Sequence, residues 1–215
     1  MQIANTHKSI CASTTTIHGR GANSSRPQEG VNAIEAAASF ITYLYRLCDE
    51  PAETERDDRF EPPCTSFNAG EITGADAVNI IARETELNWE FRPIPGADAD
   101  AITARVSDWV ETELLPRMRA TDANAVFETV RDVLVQPFDA PDSLAERIAH
   151  KASGLNSADA VSFVTKASLF AGAGIPAVIC GRGDIAQAHQ PDEFIDRDQL
   201  AACLAFLDRM APAPA

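Results

Sequence analysis

The chain has 215 residues, 45% of them hydrophobic, and a formal net charge of −14 from 32 acidic and 18 basic residues. That length can bury one large core or two small ones, and so acidic a surface would repel nucleic acid and anionic membranes. No apolar run approaches the roughly 20 residues of a membrane span, and the polar start MQIANTHKS has no signal-peptide pattern, so a cytoplasmic location is expected.

Residues 9–18, SICASTTTIH, are short-chained and β-branched and read as a strand. GRGANSSRPQEG follows as a loop, set by its glycines, serines and proline. From Val31 the pattern turns helical. Ile34, Ala37, Ile41, Leu44 and Cys48 share one stripe, with Asn32 and Glu35 as a capping box. The charged, proline-bounded DEPAETERDDRFEPP leads into a strand over residues 64–72, with glycine turns around Gly70 and Gly74. ETELNWEFRP then alternates, placing Leu87, Trp89 and Phe91 on a core face and Glu86, Asn88, Glu90 and Arg92 on a wet one. Past PIPG, the residues Ile102, Val106, Trp109, Val110 and Leu114 line a second helix that Pro116 is expected to close. AVFETVRDVLV completes the order β-α-β-β-α-β. That is the order of a ferredoxin-like α+β sandwich, four antiparallel strands with two helices on one face.

A boundary is expected near Pro137, giving a first domain over residues 5–137, a second segment over 138–210 and a disordered tail over 211–215. The second segment reads as helix 143–152, strand 160–164, helix 166–171, strand 175–180 and helix 198–210, alternating as α/β units of a parallel sheet. About 75 residues are too few to close a doubly wound domain, so this segment reads as the end of a larger one. Cys11, Cys48, Cys64, Cys180 and Cys203 are odd in number and widely spaced, which signals neither a disulfide framework nor a thiolate zinc knuckle. NSS at Asn23 and RGD at Arg182 match glycosylation and adhesion tripeptides, which require an extracellular setting.

VSFVTKASLFAGAGIPAVICGRGDIAQAHQPDEFID resembles the C-terminal segment of the acetylornithine deacetylase and succinyl-diaminopimelate desuccinylase family of co-catalytic zinc enzymes. THKS, GRGANSSRPQEGVNAIEAA, GEITGADAVNII and EFRPIPG resemble, in order, that family's dimerisation or lid domain. The likeness runs from about His7 to Leu207. It implies a hydrolase of N-acyl amino acids, of the kind used in arginine biosynthesis, acting through two zinc ions, a bridging water and a glutamate base. Metal would lower the pKa of that water towards about 7 and polarise the scissile carbonyl.

The resemblance also implies roles for single residues. His189, in AHQPDE, corresponds to the last metal ligand and follows a strand and a glycine turn, where open α/β folds place their sites. Asn23 stands where the family has a histidine that reaches the partner subunit's site and steadies the oxyanion. Losing such a donor typically costs on the order of 3 kcal/mol. Lys166, in TKA, stands where the family has a glutamate lining the pocket, so a cationic substrate side chain would be less welcome. Arg92 matches a lid arginine that clamps a substrate carboxylate, and Asn79 a lid asparagine near the substrate. Asp192 and Glu193 read as groups behind the metal ligands or as an acidic helix start.

The family's other ligands, an H-x-D motif, a bridging aspartate and paired glutamates, precede its lid domain. No H-x-D occurs here, and His7, His18 and His150 have no ligand-like spacing. One imidazole is too few donors for catalytic zinc, so this chain alone is expected to hold none. Three readings follow: an acetylornithine-deacetylase-like hydrolase completed by a separate N-terminal half, an inactive dimerisation module, and an amidohydrolase for another acyl group such as succinyl. The resemblance also implies a homodimer through the lid domain, whose sheet edges and helices pair the subunits in the family, a role that needs none of the missing ligands.

Overall fold

A computed structural model describes residues 2–49, 55–75 and 77–210. The expected tail at 211–215 and part of the charged link lie outside the described residues. In chain order the elements are β1 (Gln2–His7), β2 (Ile10–His18), α1 (Ala33–Asp49), β3 (Ser66–Gly74), β4 (Glu84–Arg92), α2 (Ala99–Trp109), α3 (Leu115–Arg119), β5 (Val126–Val135), β6 (Phe138–Asp139), α4 (Leu144–Ser153), β7 (Asp159–Val161), α5 (Ala167–Gly172), β8 (Ile179–Gly181) and α6 (Arg197–Met210). They form two units, a larger one over residues 9–135 and a smaller one joining the first eight residues to those from 136 on.

The larger unit is an antiparallel sheet in the order β3-β4-β2-β5. Alternation decides its faces: Cys11 and Ile17 of β2 and Leu87, Trp89 and Phe91 of β4 are buried in one cluster with α1 and the α2–α3 run. The α1 stripe is rotated from the expected one. Ala33, Ala36, Ala37, Phe40 and Leu44 are buried while Ile34 is exposed. The reason is Phe40, whose ring meets Trp89 and Phe127 edge-on at centroid distances of 5.4 and 5.0 Å and so fixes which face turns inward. Asn32 caps α1, its side-chain oxygen accepting from the N–H groups of Ile34 and Glu35. In the core, Trp89 Nε1 donates to Thr15 Oγ1 at 2.9 Å, and the Thr15 and Thr129 hydroxyls bond at 2.9 Å.

Pro116 does not close the second helix. The helix passes through a π turn over Val110–Leu114, in which Leu115 N–H donates to Val110 O, and continues to Arg119. Widening the turn one residue ahead of the proline relieves the ring's clash with the preceding turn, and Pro116 has no N–H to satisfy. Both edge strands carry a bulge: Gly70 is the extra residue of β3 between Ala69 and Glu71, and Asp132 that of β5 between Arg131 and Val133.

In the smaller unit β1 is central, pairing in parallel with β7 on one side and antiparallel with β6 and β8. The expected parallel sheet is therefore corrected to a mixed one. Its last two strands are also shorter than expected, three residues each. In β8 the run begins only after Pro176, which cannot donate to a ladder. The strand β1 itself has no counterpart in the sequence reading, because QIANTH carries little apolar signal, yet Thr6 and His7 are buried. The His7 ring lies 5.6 Å from that of Phe138 with Nδ1 2.6 Å from Lys8 O, and burial holds its imidazole below the ordinary histidine value.

The small core comprises Ile3, Ala149, Ala152 and Phe206. Ser143 caps α4 by accepting from Glu146 N–H, and Gly154 ends it with φ 78°, a left-handed conformation suited to glycine. Apolar side chains on the outer faces of α4, α5 and α6, among them Ile148, Leu169, Phe170, Leu204 and Leu207, are exposed. No helix among the described residues is long and apolar enough to cross a membrane.

Candidate functional site

Asn23 and Asn79 are brought together by backbone pairing within the larger unit. Asn23 bridges Ile80, Ser24 N–H donates to Asn79 O at 3.0 Å, and Ile81 N–H donates to Ala22 O at 2.8 Å. Glycine permits the loop to fold so closely: a Cβ on Gly19 would lie 2.1 Å from Val31 O, and one on Gly30 2.8 Å from Ile81 Cδ1. Both asparagines are exposed, and Val78 beside them is fully so. Asn23 Oδ1 accepts from Ser25 N–H at 3.0 Å, forming an Asx turn. Its side-chain NH2 is the donor suited to a ligand.

Arg92 is placed elsewhere. It ends β4, eight residues on from Glu84, so a strand of about 26 Å separates it from the start of β4 and the Asn79 segment before it. On the wet face of the sheet, Arg92 Nε donates to Glu90 Oε1 at 2.8 Å, with both side chains about a quarter exposed. The remaining guanidinium donors can still meet a carboxylate.

In the smaller unit Lys166 is exposed at the start of α5 and borders a hollow of about 480 Å³ with Thr165, Phe170, Ile175, Val178 and Cys180. Most of that lining is apolar, which suits a covering hydrophobic segment as well as a substrate. His189 is exposed in left-handed backbone with φ 63°, and its N–H donates to Glu193 Oε2 at 3.2 Å. Gly183 and Asp184 shape the loop before it. Gly183 N–H donates to Gln199 Oε1 at 2.6 Å, and Asp184 Oδ1 accepts from Ala186 N–H at 3.0 Å. Asp192 and Glu193 precede α6 by several residues and do not open it.

No group of three or more histidine, cysteine, aspartate or glutamate side chains among the described residues is arranged to hold a metal ion. Among the described residues His189 therefore belongs to no such group, and those residues do not by themselves fit a zinc centre.

One polar cluster escaped sequence reading. Buried Glu146 accepts from Asn5 Nδ2 at 3.1 Å and from Asp142 N–H at 2.7 Å, and its Oε1 lies 3.2 Å from His150 Nε2. The signal was the spacing of Ser143 and Glu146, a capping box in which the glutamate reaches back past the cap. Its partners show the cluster to be a brace that joins β1 to α4.

A sequence profile described as the peptidase dimerisation domain matches residues 5–118. The chain is 34% identical over 207 residues to an acetylornithine deacetylase of Myxococcus xanthus, covering 94% of this chain and 52% of that protein. It is 32% identical over 197 residues to one of Proteus mirabilis, covering 91% and 49%. The chain thus spans about half the length of these curated relatives. Among solved structures, its fold is similar to aminopeptidase PepT of Bacillus cereus, with a TM-score of 0.69 and 20% identity over 98% of this chain and 54% of that one. It is also similar to human carnosine dipeptidase 1, with a TM-score of 0.71 and 12% identity over 97% and 56%. With the profile covering more than half of its residues, the chain belongs to the peptidase dimerisation domain family and is a homologue of acetylornithine deacetylases.

Proposed function

We propose that this chain supplies the dimerisation domain, of ferredoxin-like topology, and the C-terminal part of the catalytic domain of an amidohydrolase acting on N-acyl amino acids. The catalytic centre is completed by residues outside these 215. The observation that carries this reading is the likeness to acetylornithine deacetylases along both units. It is supported by the open apolar faces of α4, α5 and α6, the surface that further polypeptide would cover.

Within this proposal the lid residues divide their labour. No small acyl amino acid spans a strand of about 26 Å, so Asn23 and Asn79 on one side and Arg92 on the other serve different substrates. In a homodimer the asparagine pair reaches the partner subunit's site, and Arg92 clamps a substrate carboxylate. His189 contributes one ligand, and Lys166 at its hollow sets charge preference, turning away a cationic side chain and favouring an anionic acyl group such as succinyl. A second reading, a homodimeric module without catalysis, is favoured by Asn23 in place of a histidine and by the Arg92–Glu90 ion pair.

The test is direct. The purified chain, supplied with zinc, is assayed for hydrolysis of N-acetylornithine and N-succinyl amino acids, with metal content and light-scattering mass measured in parallel. The expected result is a dimer with no turnover and no tightly held zinc. Unassisted hydrolysis would overturn the reading, and a monomer would remove its dimeric part.

A further inference from the structure

Four of the five cysteines sit in two pairs, one in each unit. Cys48, in the last turn of α1, and Cys64, two residues ahead of β3, are brought close together: the Cys48 thiol donates to the carbonyl oxygen of Thr65, the residue after Cys64, at 3.8 Å. Both are half-buried, within reach of a small reagent. In the smaller unit, burial pushes the Cys180 thiol of β8 up, with Cys203 of α6 adding to the shift. Cys11 is buried under the sheet beside Arg131 and Thr103.

We propose that Cys48 and Cys64 are a redox-active dithiol that closes to a disulfide when the protein meets a small-molecule disulfide, tying the end of α1 to the entry of β3. A disulfide needs its two sulfurs to approach from neighbouring backbone positions, and the Cys48 sulfur is already held 3.8 Å from the carbonyl of the residue that follows Cys64. In the reaction one protein thiolate attacks the reagent's S–S bond and expels a small thiolate. The second protein sulfur then attacks the mixed disulfide, forming the Cys48–Cys64 bond and expelling the other small thiolate. Two protein thiols are oxidised, one reagent disulfide is reduced to two thiols, and the two protons pass to the leaving sulfurs. Burial, with Cys64 alongside, pushes the Cys48 thiol up, so exchange quickens as pH rises. The cross-link encloses residues 48–64 and restricts the unfolded chain, which for a loop of that size raises the thermal midpoint of the larger unit on the order of 10 °C.

The experiment treats the 215-residue protein with oxidised glutathione at about pH 8, alkylates the remaining thiols and maps peptides without reduction. The expected result is one linked peptide pair, Cys48 to Cys64, reversed by dithiothreitol, with Cys11 alkylated or protected and the thermal midpoint raised. Cys48→Ser and Cys64→Ser each lose the linked pair and the rise, and carry a glutathione adduct on the remaining cysteine. The proposal is overturned by separate glutathione adducts on both cysteines of the wild type or by a Cys180–Cys203 link forming first. A Cys48–Cys64 link that leaves the midpoint unchanged also overturns it.

Discussion

Among the described residues, the larger unit packs seventeen buried apolar residues from both layers into one cluster, whereas the cluster of the smaller unit holds four. The smaller unit compensates with polar order: the Asn5–Glu146–His150 brace and the capped, glycine-ended α4 hold what its apolar contacts alone do not. The difference teaches where self-sufficiency lies. Residues 9–135 have the layered sheet and helices of an independent domain, while the rest leaves helix faces open as though one side of its core were supplied from elsewhere.

The strongest challenge to that contrast is Phe40→Ala. Phe40 is fully buried between Trp89 and Phe127, so the change should cost about 3–5 kcal/mol and abolish amide protection across residues 9–135. A loss below about 1 kcal/mol in urea unfolding would mean the core is looser than described. Glu146→Ala should come next, at about 1–3 kcal/mol, because it leaves the Asn5 amide and the Asp142 N–H without their acceptor. Hydrogen exchange should then rise in β1 and α4 while α1 and β4 stay protected; exchange rising equally in both units would break the comparison. The smallest effects come from the paired cap variants Asn32→Ala and Ser143→Ala, each about 1 kcal/mol. Since the chemistry is alike, the larger fractional rise in helix exchange should appear in α4. A larger rise in α1 would reverse the ranking of the two units.

How far the sequence could be read follows the same divide. In β4, Leu87, Trp89 and Phe91 alternate with polar neighbours because one face is core and the other wet, so period and burial agree. The strand β1 was invisible because Thr6 and His7 are buried despite being polar, and burial of that kind leaves no hydrophobic pattern. Pro116 reads as a stop in any local scheme, and only the π turn before it lets the helix pass. At the site, the AHQPDE motif drew attention to His189, but neither its left-handed backbone nor its bond to Glu193 could be inferred from spacing. The separation of Arg92 from Asn79 was legible in principle, since a nine-residue strand lies between them, yet motif matching groups residues by role and loses distance. Cys48 and Cys64 meet across a link whose length carries no cysteine pattern.

The bulges at Gly70 and Asp132 interrupt both outer strands of the lid sheet. An uninterrupted outer strand would let one copy join its β3 to the β5 of the next, a head-to-tail contact that propagates into a fibre instead of closing. Kinked borders leave only short straight runs for a neighbour, which hinders such propagation. The fold thus carries its own brake on endless growth.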